Sequence, residues 1–280
     1  MTGTTLAAAL LLWTPFSMMC ELDSVSVNES SGIAASNHSP GVFYTHNDSG
    51  DGPRFFRFLK DGSVNATFTL TAGALDWEDM ESAVVGGARY LYFGDIGDNA
   101  RVRSKVTVYR CEEPLASMGS GALATTKYDF RYPDAPHNCE GMFVAPDGAI
   151  WLVTKESGPS KVFRGVPDAS GTVTLEEKGS ISINTGGLGG QLVTGASLSH
   201  DARIVVVRTY TGVRAYSATA GLDGWWASPA ENVGNLIEIQ GEAVCFSLDD
   251  GALLTSSEGV PCAVSISLRK NPRVIGRLNL

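Results

Sequence analysis

Three glutamates recur along the chain in short polar runs, DWED (76–79), NCE (138–140) and QGE (240–242), each leading into an apolar stretch. Glu78, Glu140 and Glu242 therefore take equivalent places in a repeat. Like charges brought together repel unless a cation sits among them or some are protonated. Asn47, Asp95 and Asn99 are further hard oxygen donors, and with the three glutamates they form a set suited to Ca²⁺ or Mg²⁺. Lys155 and Arg208 offer another neutralisation, and beside a reacting carbonyl they would stabilise a developing oxyanion. Asp48, Glu258 or His46 would then activate water. The competing reading is a ring of salt bridges and hydrogen bonds that ties strands together, with His46 a satisfied structural histidine.

Other motifs narrow the chemistry. NDSGDG (47–52) has oxygen donors at alternate positions, like the start of a calcium loop, but Phe58 stands where the twelfth-position glutamate belongs, and a Gly-rich hairpin loop explains the run as well. The DIGDN run (95–99) is the better clamp for a cation or for a neighbouring strand. Four histidines are too scattered for a multi-His zinc site. No GxSxG, HExxH, P-loop or SxxK occurs. GGLGG (186–190) reads as a loop, and Trp225-Trp226 as a stacking platform or as blade-edge packing.

The elements that must position these residues are strands. GVFYTHND (41–48), RYLYFGDI (89–96), AIWLVTKE (149–156), RIVVVRTY (203–210) and ALLTSSEG (252–259) each follow a turn and a shorter strand, so one hairpin occurs five times. A third strand follows each hairpin, and NATFTL, KYDFRY, GSISIN and NLIEIQ are fourth-strand candidates. Taking Gly32, Glu78, Glu140, Gly195 and Glu242 as equivalent gives a repeat of the length of a four-stranded blade. The expected fold is an all-β, five-bladed β-propeller of four-stranded antiparallel blades, the alternative being six blades with one degenerate. Either ELDSVSV (21–27) or RVIGRLNL (273–280) closes the ring. ASMGSGALATT (116–126) and DASGTVTLEEKGS (168–180) read as insertions or outer hairpins. In such a blade the start of the first strand and the end of the second share one mouth of the channel, where the polar runs collect.

Lys plus Arg number 21 and Asp plus Glu 30, a net charge of −9, which disfavours nucleic acid and anionic lipid as partners. A small-molecule substrate or ligand is the expected partner. Residues 6–19 are almost wholly apolar, too short to span a bilayer but of signal-peptide length, and they end at Cys20. Residues 1–20 are expected to be a signal or lipoprotein segment with a lipid anchor at Cys20, ahead of a single propeller domain over 21–280. That implies a secreted, periplasmic or cell-surface location. The other cysteines, 111, 139, 245 and 262, pair as two disulfides or stay as buried thiols.

The motifs HNDSG (46–50), DWEDM (76–80), GDIGDN (94–99), CEGM (139–142), VTGASLS (193–199), VRTY (207–210) and QGEAV (240–244) together resemble a family of secreted bacterial β-propeller proteins of lipoprotein-like type, over residues 28 to 260. A more distant similarity runs to the SMP-30/gluconolactonase and DFPase-like propellers. That second resemblance implies a channel-bound Ca²⁺ held by Glu and Asn/Asp, and hydrolysis of lactones or organophosphates. It departs in blade number and in Lys155 and Arg208. The expectation is a metal-dependent hydrolase of lactones, esters or phosphotriesters. A non-catalytic extracellular module binding a sugar, peptide or envelope component is the alternative, with a two-carboxylate glycosidase third.

Overall fold

The computed structural model describes residues 12–238 and 240–270. Runs of β-branched and aromatic residues, broken at Gly- and Asp-bearing turns, fold as strands, and these assemble into five antiparallel sheets around one axis. β1 (Ser17–Glu21) comes first in the chain and last in the ring. Blade one is β2 (Ser30–Ala35), β3 (Val42–Asn47), β4 (Arg54–Leu59) and β5 (Val64–Leu70). Blade two is β6 (Trp77–Val85), β7 (Ala88–Asp95) and β8 (Val106–Glu112), then, past the short β9 (Gly121–Leu123), β10 (Thr126–Arg131). Blade three is β11 (Cys139–Val144), β12 (Ile150–Thr154) and β13 (Ser160–Gly165), then, past β14 (Thr172–Thr174), β15 (Glu176–Ile181). Blade four is β16 (Val193–Leu198), β17 (Ile204–Thr209), β18 (Gly212–Ser217) and β19 (Glu231–Asn235). Blade five is β20 (Gly241–Phe246), β21 (Ala252–Ser257) and β22 (Ala263–Leu268), completed by β1. The chain is thus a five-bladed propeller, and the six-bladed alternative is set aside.

The core is divided among the blade junctions. Five apolar clusters fill the five interfaces, for example Phe55, Phe68, Trp77 and Phe93 between blades one and two, and Phe143, Trp151, Val205 and Trp225 between three and four. Trp225 is buried and Trp226 packs on that cluster, so the Trp pair is blade packing. All five cysteines are free and buried.

Ring closure differs from expectation. β1 pairs antiparallel with β22, Glu21 opposite Ala263 and Ser17 opposite Ile266. The pairing continues through Thr14, whose N–H donates to the Leu268 carbonyl at 2.8 Å, and Trp13 is buried between blades four and five. The closing strand is SMMCE, and residues 22–28 form a loop instead; the rival RVIGRLNL lies outside the described residues. The domain boundary at residue 21 is corrected accordingly, because residues 13–20 belong to the propeller. Cys20 is buried in β1, so cleavage before it would remove three of that strand's five residues.

Two other segments are reassigned. β9 and β14 lie in the two insertions, but each adds a parallel fifth strand to the preceding blade, β9 on β5 and β14 on β10. The fourth strand of blade four is ENVGN rather than NLIEIQ, which frees residues 236–238 for a loop at the mouth.

Candidate functional site

Each inner strand carries a register shift against its neighbour near its start. In blade two Trp77 faces Asp95 and Asp79 faces Gly94. In blade three Cys139 faces Thr154 and Gly141 faces Val153. In blade five Gly241 faces Ser257 and Ala243 faces Ser256. The extra residues of these β-bulges are Glu78, Glu140 and Glu242. The same shift in blades one and four leaves Ser31 and Thr194 unpaired. A bulge bends its strand and re-aims one side chain, and here it does so five times around one axis. The repeat positions assigned to Gly32 and Gly195 therefore belong to Ser31 and Thr194, one residue earlier. Both hydroxyls tie to the next blade, Ser31 to the Glu78 carbonyl at 2.7 Å and Thr194 to the Gly241 carbonyl at 2.9 Å.

The three glutamates keep only 3–4% of their surface exposed. Burial, then the charge of Glu140, pushes Glu78 well above the usual carboxylate range. The same two causes, burial first, raise Glu242 to about 8. Glu140 is raised by burial to about 7, against the pull of Lys155, whose Nζ donates to its Oε2 at 2.5 Å. Lys155 also donates to the Tyr210 hydroxyl at 2.6 Å. Burial lowers the Lys155 ammonium's pKa, but Glu140 and Tyr210 more than offset this, so it stays charged. Glu258, half-buried at the end of β21, accepts from the Gln240 amide and is also raised by burial.

Beside this group, ligand oxygens of Asp48, Asp76 and Glu78 lie within 4.8 Å of one another. Asp76 was absent from the expected ligand set; its signal was its place one residue before the strand, in the same DWED run as Glu78. These donors fit a hard divalent cation on two observations. The buried Glu78 carboxylate accepts no hydrogen bond from the described residues. A Cβ on Gly97 would collide with the carboxylates of both Asp76 and Glu78, so the glycine of DIGDN is what leaves them room. The loop is braced from behind by Arg103, which pairs with Asp95 at 2.8 Å and donates to the Gly97 carbonyl at 2.7 Å.

Several expected ligands do other work. Asn47 is fully engaged: its Oδ1 accepts from the N–H groups of Asn28 and Glu29, and its Nδ2 donates to Ser26 and Asp51. Asp95 accepts from Arg103 and from the N–H groups of Leu75 and Asp76. Asn99 is an exposed acceptor for Asn138, which in turn donates to Glu140. None of these three joins the carboxylate triad. Asp48, expected as a base, is one of its members. His46 is wholly buried against Trp77 and Phe93, and burial lowers its pKa, so it is a neutral structural histidine out of reach of water at the mouth. Arg208 is likewise buried, paired with Glu238 and donating to the Ala243 carbonyl at 2.9 Å, which removes it as an oxyanion donor.

Below the mouth the channel is filled by acids of β6. Asp79 crosses it to accept from the N–H groups of Met142 at 2.8 Å and Ala196 at 3.0 Å, tying blades three and four to blade two. Glu81 accepts from the N–H of Leu198, and burial raises it to about 8. Two surface cavities, of about 390 and 340 Å³, are lined by none of the three glutamates: one is lined by Arg203, Tyr216 and Arg269, the other, on the outer side of the mouth, by Arg101, His137 and Lys161. No helix among the described residues is long and apolar enough to cross a membrane. The chain matches no protein-family model and no curated protein.

Proposed function

We propose that this propeller is a divalent-cation-dependent hydrolase of carboxylic esters, lactones or phosphotriesters, working at the mouth where the bulged glutamates meet. The observation that carries the reading is the approach of Asp48, Asp76 and Glu78 to within 4.8 Å. These three would hold Ca²⁺ or Mg²⁺, and a bound ion supplies Lewis-acid polarisation of the scissile carbonyl or phosphoryl oxygen. The chain's own groups supply the rest. Lys155, charged and fixed by Glu140 and Tyr210, faces the developing negative charge. Glu258 accepts a proton from water as its oxygen bonds to the acyl carbon or phosphorus. Glu242, raised to about 8, is protonated at neutral pH and gives its proton to the leaving oxygen as the ester bond breaks. A water is consumed and an acid and an alcohol are released.

The test is metal content of the purified protein together with turnover of an ester, a lactone and a phosphotriester, with and without EDTA. Bound Ca²⁺ or Mg²⁺, turnover abolished by EDTA, and its loss in Glu78→Gln are the expected results. A metal-free protein that turns over none of the three overturns the reading. The non-catalytic alternative is favoured by one feature: Lys155 already has partners on the protein.

A further inference from the structure

The loops around the acidic mouth carry exposed aliphatic side chains: Val25, Leu75, Val102, Leu188, Ile237 and Val260. Leu188 and Ile237 are almost wholly in water, at 97% and 105% of full exposure. Each is tied to the mouth by its neighbours. Ser26 binds Asn47, Leu75 precedes Asp76, and the Val102 N–H donates to Asp98 at 3.0 Å. The Leu188 loop abuts Tyr210, since a Cβ on Gly189 would lie 2.7 Å from that ring. Ile237 adjoins Glu238, the partner of Arg208, and Gly259 next to Val260 donates to the Asn28 carbonyl at 2.9 Å. Single exposed aliphatics are ordinary on a protein surface. Here they gather on the loops of one mouth, around a well of carboxylates, and all six are Val, Leu or Ile.

We infer that the substrate is an amphiphile, an ester or lactone whose polar head enters the acidic well and whose aliphatic chain lies on this rim. The head rests on the hydrolase reading; the chain rests on the rim alone. The chemistry of the rim selects this occupant. A sugar or a nucleobase would call for an exposed aromatic platform; among the described residues the exposed apolar side chains of the rim are aliphatic, and the half-buried Tyr210 ring is taken up by Lys155. An anionic bilayer would be repelled by the carboxylates and by the chain's net charge of −9. An alkyl chain needs only apolar area, at most about a fourfold gain in affinity for each methylene fully buried and less for one half-covered.

Two measurements on the full-length protein separate the chain from the head. The first is turnover of p-nitrophenyl acetate, butyrate and octanoate in the presence of Ca²⁺ or Mg²⁺. The second is calorimetric binding of N-ethyl- and N-octyl-pyrrolidinone, lactams that mimic a lactone and are not cleaved. Wild-type protein should prefer the octyl members in both by about tenfold or more. The double variant Leu188→Ser/Ile237→Ser, with an unchanged Tm, should flatten that preference to within about threefold while keeping wild-type turnover of the acetate. Val102→Ser is the second variant, should the double one be unstable. Rim-dependent octyl-lactam binding without turnover of any ester sinks the hydrolase reading and leaves this inference standing. Turnover and binding indifferent to chain length, or chain-length preferences identical in wild type and variant, overturn the inference. So does binding to phosphatidylcholine vesicles that the double variant loses, if the lactams show no chain-length preference.

Discussion

Glu140 and Lys155 stand 2.5 Å apart, their side chains 4% and 14% exposed, so neither charge is well hydrated if the other is removed. Glu140→Gln keeps the shape and strands the ammonium, an expected loss of about 3 kcal/mol in urea unfolding. Lys155→Met strands the carboxylate instead, and the double variant should recover much of either loss, because the coupling belongs to the pair. Glu78 is the opposite case. Its carboxylate has like charges around it and no hydrogen-bond partner among the described residues, so Glu78→Gln should raise the Tm of the cation-free protein. The same change should weaken Ca²⁺ or Mg²⁺ binding by at least about tenfold, read from the Tm rise each cation gives. If Glu78→Gln lowers the cation-free Tm, its charge is structural and the carboxylate triad is not a metal site.

At the scale of the element, the bulge turns a β-hairpin repeat into a site. It turns one residue of each inner strand toward the axis, and the residue after it must pack closely: a Cβ on Gly195 would lie 2.8 Å from the Glu242 carbonyl oxygen. Gly195→Ala should therefore cost roughly 1–3 kcal/mol and displace Glu242 as blades four and five move apart; an unchanged Tm and activity would show that the junction has slack. The strands themselves were legible because alternation and turn residues are local. The three glutamates were legible too, since equivalent repeat positions converge on an axis. What could not be read was register. A bulge leaves no mark in composition, so Gly32 and Gly195 stood in for Ser31 and Thr194. His46 and Arg208 read as chemical because their types are; only tertiary packing buries one against Trp77 and Phe93 and pairs the other with Glu238. Ring closure was misplaced for a related reason. Residues 13–20 look like an apolar leader because Trp13 and Cys20 pack into blade interfaces, and burial and export draw on the same residue types. Trp13→Ala should cost roughly 3–5 kcal/mol, and a chain starting at Glu21 should lose cooperative melting.

For the molecule as a whole, the channel concentrates acids that the folded state holds protonated. Glu81 and Glu242 are raised to about 8 from an ordinary value of 4.5, mainly by burial, whereas Glu140, raised by burial to about 7, is held ionised by Lys155. The fold thus binds protons that the unfolded chain has released. An acid shifted upward leaves stability intact below its unfolded pKa and removes it as pH rises toward the folded value. The Tm should be highest near the unfolded pKa of about 4.5 and fall steadily to about pH 8, with a total loss on the order of several kcal/mol. Glu81 sits deep in the channel and outside the proposed cation site, so Glu81→Gln should remove its share of the slope and raise the Tm at pH 8 without changing metal affinity. A divalent cation acts differently, because it needs the carboxylates of its own site ionised; burial raises both Asp76 and Glu78, so binding strengthens as they lose protons. With saturating Ca²⁺ or Mg²⁺ the falling limb should flatten, and the Tm gap between loaded and EDTA-treated protein should widen from pH 5 to pH 8. Differential scanning calorimetry across that range, on wild type, Glu81→Gln and Glu78→Gln, reads all three effects. A gap that stays constant with pH would mean that any bound cation does not rest on these carboxylates, and a wild-type Tm flat from pH 5 to pH 8 would mean that the channel acids are ionised in the fold.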